Sequence, residues 1–151
     1  MPTLRVARAA ACAAALALTA TACGGFTAVD DNQEEVCAEL AKLDGPLVVM
    51  FPETNPEGNV AQAKFGASAY SVVADQIRGS LNGSQETLLD RATGTTEQYL
   101  QVLGTRPDDA LLRDNEAAFD ASQMNIVANH RIMLANIGCP EPEFLAQFPD
   151  T

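Results

Sequence analysis

His130 is the only histidine in the chain, and it lies three residues before Met133. This spacing places both side chains on one side of a helix, where an imidazole nitrogen and a thioether sulfur could ligate haem or copper. We favour a simpler interpretation, in which His130 is half-exposed at the edge of an apolar stripe and Met133 lies in the core. Because residue 127 is Val127 rather than a glutamate, the Glu-x-x-His motif of carboxylate-bridged diiron bundles is absent. We therefore predict no metal ligand and no cofactor.

Polar side chains recur every seven residues along the segment that contains His130. They are Asn115, Ser122, Asn129 and Asn136, and they alternate at helical spacing with the apolar residues Leu112, Phe119, Ile126 and Met133. A buried amide without a partner costs about 1 to 3 kcal/mol, so these positions require partners, solvent or a cavity. We call the four polar residues the polar row.

Two interpretations of the polar row stay open. In the first, it lies half-wetted at the edge of the apolar stripe, or it bonds across to neighbouring helices and fixes their register. The candidate partners for such bonds are Gln76, Thr95, Thr96 and Tyr99. In the second, a polar groove between helices binds a small ligand. The candidate ligand-binding residues are then Asn115, Ser122, Asn129, His130 and Asn136.

No linear catalytic motif is present in the sequence. It lacks the Gly-x-Ser-x-Gly, Walker and dinucleotide-binding glycine patterns, and a single histidine excludes the His-Glu-x-x-His zinc motif. Its acidic clusters do not follow the pattern of a calcium-binding loop and are typical of helix starts. We therefore predict no catalytic residues and a non-enzymatic protein.

The first 22 residues have the pattern of a secretory signal peptide. Arg5 and Arg8 form a basic start, and residues 9–22 are small or apolar apart from two threonines. This apolar run is shorter than the roughly 20 residues that a membrane-spanning helix needs. We therefore expect the segment to direct export and then to be removed.

The predicted cleavage site is followed directly by a cysteine. The sequence Ala20-Thr21-Ala22 is an ordinary secretory cleavage signal, and with Cys23 and two following glycines it resembles the lipobox of bacterial lipoproteins, with Ala20 where that family usually has leucine. The resemblance covers only the signal and Cys23. It implies a diacylglyceryl group on Cys23 and a location on the extracytoplasmic face of the cell membrane. The alternative is simple secretion.

The number of cysteines agrees with lipidation. Once the signal peptide and Cys12 are removed, Cys23, Cys37 and Cys139 remain, which is an odd number for an exported protein. Lipidation of Cys23 would leave Cys37 and Cys139 to form a disulfide. Because these two are far apart in sequence, we interpret the pair as structural and not as a redox-active dithiol.

Charge and length limit the partners and the number of domains. Residues 23–151 contain 20 acidic and seven basic side chains, a formal charge of −13. Such a chain repels nucleic acid and anionic phospholipid, so its predicted partners are the membrane through the lipid, an envelope protein or a small ligand. We divide the chain into a signal peptide (1–22), a lipidated tether (23–32) that reaches about 30 Å at most, and one domain (33–151).

Hydrophobic periodicity predicts about four helices in this domain. The first begins near residue 30 and stops at Gly45-Pro46, after which residues 47–51 are expected to be extended. A second helix spans 60–81 with an apolar stripe, and a third runs from Ser84 to about residue 103. A fourth runs from residues 105–108, where Thr105 and Asp108 could cap it, to residue 137. The predicted stripe of the second helix is Phe65, Ala69, Val72, Val73 and Ile77.

These elements predict an all-α fold, an antiparallel bundle of about four helices whose two ends are joined by the Cys37–Cys139 disulfide. An apolar turn near Phe144, Leu145 and Phe148 should fold back onto the bundle. The predicted function is a membrane-tethered, non-enzymatic binding or interaction module of the bacterial envelope. The alternative is a small-ligand carrier or chaperone that uses the polar row and His130.

Overall fold

Four helical rods follow one another in the computed structural model, which describes residues 31–149. The first rod consists of α1 (Asp31–Leu40), a 3-10 turn (Ala41–Leu43) and α2 (Asp44–Met50). The others are α3 (Val60–Ile77), α4 (Gly83–Leu103) and α5 (Glu116–Ile137), and a 3-10 turn (Glu143–Gln147) follows. The predicted all-α antiparallel bundle is confirmed. The predicted signal peptide and Cys23 lie outside the described residues.

The first rod passes through the predicted stop at Gly45-Pro46. Pro46 is the third residue of α2, a first-turn position where a backbone N–H would have no partner within the helix. The predicted stop and the predicted extended segment 47–51 are therefore both wrong. The backbone becomes extended only at Phe51, and Leu47 and Met50 are buried.

The helix α5 begins later than its sequence predicts. The predicted start at residues 105–108 is wrong, because the backbone carbonyls there serve the first turn of α3. The Ala110 carbonyl accepts from the Val60 N–H at 2.9 Å, and the Asp108 carbonyl accepts from the Ala61 N–H at 3.0 Å. Thr105 donates its hydroxyl back to the Val102 carbonyl and caps no helix. The segment 104–112 thus completes the N-terminus of α3, which Asn59 and Gln62 also cap.

The buried face of α3 differs from the predicted apolar stripe. Phe65 and Val72 are 73% and 56% exposed, and of the predicted stripe only Ile77 is fully buried. The rest of the core-facing surface consists of Val60, Ala63, Gly66, Ala67, Tyr70 and Ala74. A Cβ added at Gly66 would lie 2.7 Å from side-chain carbons of Val49 and Met50. Small residues therefore occupy the buried face of α3, because α2 packs very close to it.

The buried positions of α4 and α5 recur at helical spacing, and those of the last helix agree with the prediction. On α4 the buried positions are Leu89, Ala92, Thr96, Tyr99 and Leu103. The predicted apolar set Leu112, Phe119, Ile126 and Met133 is fully buried. The C-terminal turn folds back as predicted, with Leu145 and Phe148 buried and the ring of Phe148 5.3 Å from that of Phe51.

The two ends of the described chain are joined covalently. Cys37 on α1 and Cys139 just after α5 form the predicted disulfide, with 5.3 Å between their Cα atoms and a sequence separation of 102. Among residues 31–149, none of the helices has the length and apolar character that crossing a membrane requires.

A pair of glycine variants tests the close approach of α2 and α3. Gly66→Ala should lower the free energy of unfolding by about 1 to 3 kcal/mol, because the new Cβ meets Val49, Met50 and the Pro46 carbonyl. Gly94→Ala in the middle of α4 is the matched control, since a Cβ there meets nothing within 4 Å. The Gly94→Ala change should raise the free energy of unfolding by about 0.5 to 1 kcal/mol. Denaturant unfolding in which Gly66→Ala proves as stable as Gly94→Ala would contradict this packing.

Candidate functional site

Three polar side chains form a line from the core to the surface. Tyr70 on α3 and His130 on α5 are fully buried, and Asp44, the first residue of α2, has 29% of its side chain exposed. The Tyr70 hydroxyl lies 3.1 Å from His130 Nδ1, within hydrogen-bond distance. His130 Nε2 lies 3.7 Å from Asp44 Oδ1, which is too far for a direct hydrogen bond. The line therefore connects three helices.

The direction of the hydrogen bond follows from the burial of Tyr70. Burial raises the pKa of the Tyr70 phenol far above its usual range, and the negative charge of Asp44 adds to the shift. The phenol therefore keeps its proton and can donate it to Nδ1. A neutral imidazole that accepts at Nδ1 carries its own proton on Nε2, which faces Asp44. Across residues 31–149, Nε2 is the buried side-chain atom left without a hydrogen-bond partner.

The position of His130 corrects one prediction and agrees with another. The histidine was expected at the half-exposed edge of the stripe, but it is completely buried between α3 and α5. Its ring packs against that of Tyr70, with 6.0 Å between the ring centroids, and Ala67 and Ala74 lie on the same buried face of α3. Met133 points into the core as predicted. In the described part of the chain, no three side chains of the metal-ligating types come together.

Two cavities flank the disulfide at the end of this line. The smaller has a volume of about 150 Å³ and is bordered by Asp44, Leu134, Glu141 and both cysteines, with Ala41, Pro140 and Pro142. The larger, about 440 Å³, is lined by Gln33, Glu34, Cys37, Ala38, Gly138 and Pro140. Asp44 thus faces a cavity on one side and a buried imidazole on the other.

The polar row is distributed along an edge of α5 and is partly wetted. Asn129 and Asn136 each donate to the carbonyl four residues earlier, on their own helix, and Asn115 does the same to the Leu111 carbonyl. Ser122 is half-buried. None of these side chains bonds to the predicted partners on other helices, and none lines either cavity. The structure does not bring the row together with His130, so the groove interpretation gains no support from these contacts.

A second buried polar cluster was missed by the sequence reasoning. Tyr99 donates its hydroxyl to the Met50 carbonyl at 2.9 Å and accepts from the Gln123 amide at 3.2 Å. Gln123 is only 2% exposed. The signal that could have found it is the spacing of Phe119, Gln123 and His130, which places all three on the buried face of α5. This cluster fixes the end of α2 to the pair formed by α4 and α5.

Titration of the two tyrosines tests both clusters. Burial raises the pKa of Tyr70 and of Tyr99 well above the usual value. The chain has two tyrosines and no tryptophan, so phenolate absorbance reports only these groups. An exposed tyrosine ionises at about pH 10. We expect the folded protein to contain no phenolate even somewhat above that pH. Because the folded state holds these protons more tightly, the free energy of unfolding should fall as the pH rises from there.

The opposite titration result would contradict the burial of the two tyrosines. Appearance of phenolate near its ordinary pKa while far-ultraviolet circular dichroism still reports full helicity would show that at least one tyrosine is open to solvent. Tyr70→Phe and Tyr99→Phe assign the signal to one residue.

No protein-family model matches the chain, and no match was found among curated proteins or among solved structures. The candidate site is therefore defined by the geometry of this chain alone.

Proposed function

We propose that this protein is an exported lipoprotein, held by a lipid on Cys23 at the extracytoplasmic face of the membrane, and that its helical bundle is a non-enzymatic binding or interaction module of the cell envelope. The observation that carries the proposal is the pairing of Cys37 with Cys139. It accounts for two of the three cysteines that follow the predicted cleavage site and leaves Cys23 as the odd one.

The disulfide also supports an extracytoplasmic location. Disulfides form and persist in oxidising compartments and are rare in the cytosol of most organisms. The predicted signal peptide supplies the route to such a compartment, and the Ala20-Thr21-Ala22 sequence ends directly before Cys23. Export, cleavage and lipidation thus form one consistent sequence of events.

A binding role is supported by the surface, and the buried polar groups have a role in packing. Phe65 and Val72 lie seven residues apart on α3, so they project from one side of that helix, and both are largely exposed. The buried hydroxyls, imidazole and amide contact one another and the backbone between helices. Such contacts specify packing, and none of them presents a nucleophile activated by a base at the surface.

The intact mass of the protein, purified from its own envelope without reduction, tests this proposal. We expect the mass of residues 23–151, reduced by the two hydrogens lost in one disulfide and increased by the acyl glyceride on Cys23. Reduction followed by alkylation should add two alkyl groups, because Cys23 is blocked. A Cys23→Ser variant should leave the membrane fraction.

A mass without lipid, together with a third alkylatable thiol, would contradict the anchor. It would make the protein a secreted domain with a free Cys23. Retention of Cys23→Ser in the membrane fraction would also contradict it.

A further inference from the structure

We infer that the smaller cavity binds a small organic cation, with an ammonium or guanidinium group against Asp44. The inference rests on the proposed binding role of the domain, whose ligand class it names, and is independent of the lipid anchor.

The cavity has two chemically distinct parts. Its walls are largely apolar, formed by the disulfide, Leu134, Pro140 and Pro142, with Ala41 at an exposed position. Its two ionisable side chains, Asp44 and Glu141, are both carboxylates. A volume of about 150 Å³ is comparable to a cavity that holds benzene, so a short carbon skeleton with one charged group fits.

The two carboxylates differ in what already neutralises them. Glu141 accepts a hydrogen bond from Arg131 Nε at 2.9 Å, and the same guanidinium binds the carbonyls of Leu145 and Phe148. Asp44 makes no ion pair with any lysine or arginine of residues 31–149, and His130 Nε2 lies 3.7 Å from its Oδ1. The negative charge left open to the cavity is therefore that of Asp44.

His130 supplies a second, independent observation. Its ring is fully buried, and Nε2 lacks a hydrogen-bond partner while lying 3.7 Å from Asp44 Oδ1. At this distance Nε2 makes no direct hydrogen bond to the carboxylate, so Asp44 keeps its acceptor sites for another donor. The imidazole faces the carboxylate from the interior, which leaves the cavity side of Asp44 for a donor from a ligand.

The charge of the site favours an organic cation over the other classes of small ligand. Carboxylates and the acidic surface repel anions. A divalent metal ion requires several oxygen or nitrogen ligands, and no such cluster of three occurs in the described region. A neutral apolar molecule would fit the walls but leave Asp44 without a partner. A short alkylammonium ion meets both the walls and the carboxylate.

Titration of the full-length, disulfide-bonded protein in detergent with butylammonium tests the inference by nuclear magnetic resonance. The backbone amides of Leu134, Cys139 and Glu141 should shift saturably. Butanol and butyrate, which replace the cation by a neutral and an anionic group, should give no saturable shift. Asp44→Asn should weaken butylammonium binding by about tenfold or more. Glu143→Gln removes an exposed carboxylate of the same C-terminal turn that does not border the cavity, so it should leave binding unchanged.

A second variant protects the test against misfolding of Asp44→Asn. Ala41→Phe places a ring at an exposed position that borders the cavity, so it should abolish binding while circular dichroism remains unchanged. The inference is overturned if butylammonium gives no saturable shift, if butanol binds equally well, or if Asp44→Asn binds as tightly as the unchanged protein. Binding without lipid on Cys23 would disprove the anchor alone, and lipid without binding would disprove the cation site alone.

Discussion

The disulfide between Cys37 and Cys139 is the constraint on which the arrangement of the molecule depends. It fixes the first helix to the chain just beyond the last one, and Gln33 reinforces the junction by donating to the Ile137 and Gly138 carbonyls. Gly138 ends α5 in a left-handed conformation with a φ of 85°, which favours glycine. Both cavities border the disulfide, so the joined ends form part of the wall of the candidate cation site.

Two buried polar contacts join the helices in addition to the disulfide. The pair Tyr70 and His130 joins α3 to α5, and the cluster of Tyr99 and Gln123 joins α4 and α5 to the end of α2. Because buried hydrogen bonds have directions whereas apolar contacts do not, these contacts select one register for the helices. Asp44 lies between the Tyr70–His130 contact and the smaller cavity, so it connects the buried imidazole to the candidate ligand site.

The sequence predicted those parts of the fold that depend on local patterns. Heptad spacing located the buried face of α5, and the cysteine count identified the disulfide pair. It failed where a distant segment decides the outcome. The apolar stripe on α3 was misassigned because α2 packs against Gly66, which has no apolar side chain to contribute to a hydrophobic pattern. The start of α5 was misplaced because the carbonyls of Asp108 and Ala110 complete α3.

In the candidate site, too, local sequence patterns identified a residue type, whereas distant segments decide its contacts. Sequence reasoning singled out His130 for its type, but its contacts with Tyr70 and Asp44 depend on residues 60 and 86 positions away. It also drew attention to the polar row, whose amides bond to carbonyls four residues earlier in the chain and are partly wetted. A regular spacing of amides is compatible with a buried contact between helices or with a partly wetted helix edge. Only the rotation of the helix against its neighbours distinguishes the two.

The most direct test of this account is the free energy of unfolding of the disulfide-bonded protein against that of a Cys37→Ala/Cys139→Ala variant, measured by denaturant. Closing a loop of 102 residues should stabilise the fold by about 4 to 5 kcal/mol, so the variant should unfold at much lower denaturant concentration. Equal free energies of unfolding would contradict the claim that the joined ends hold the bundle together.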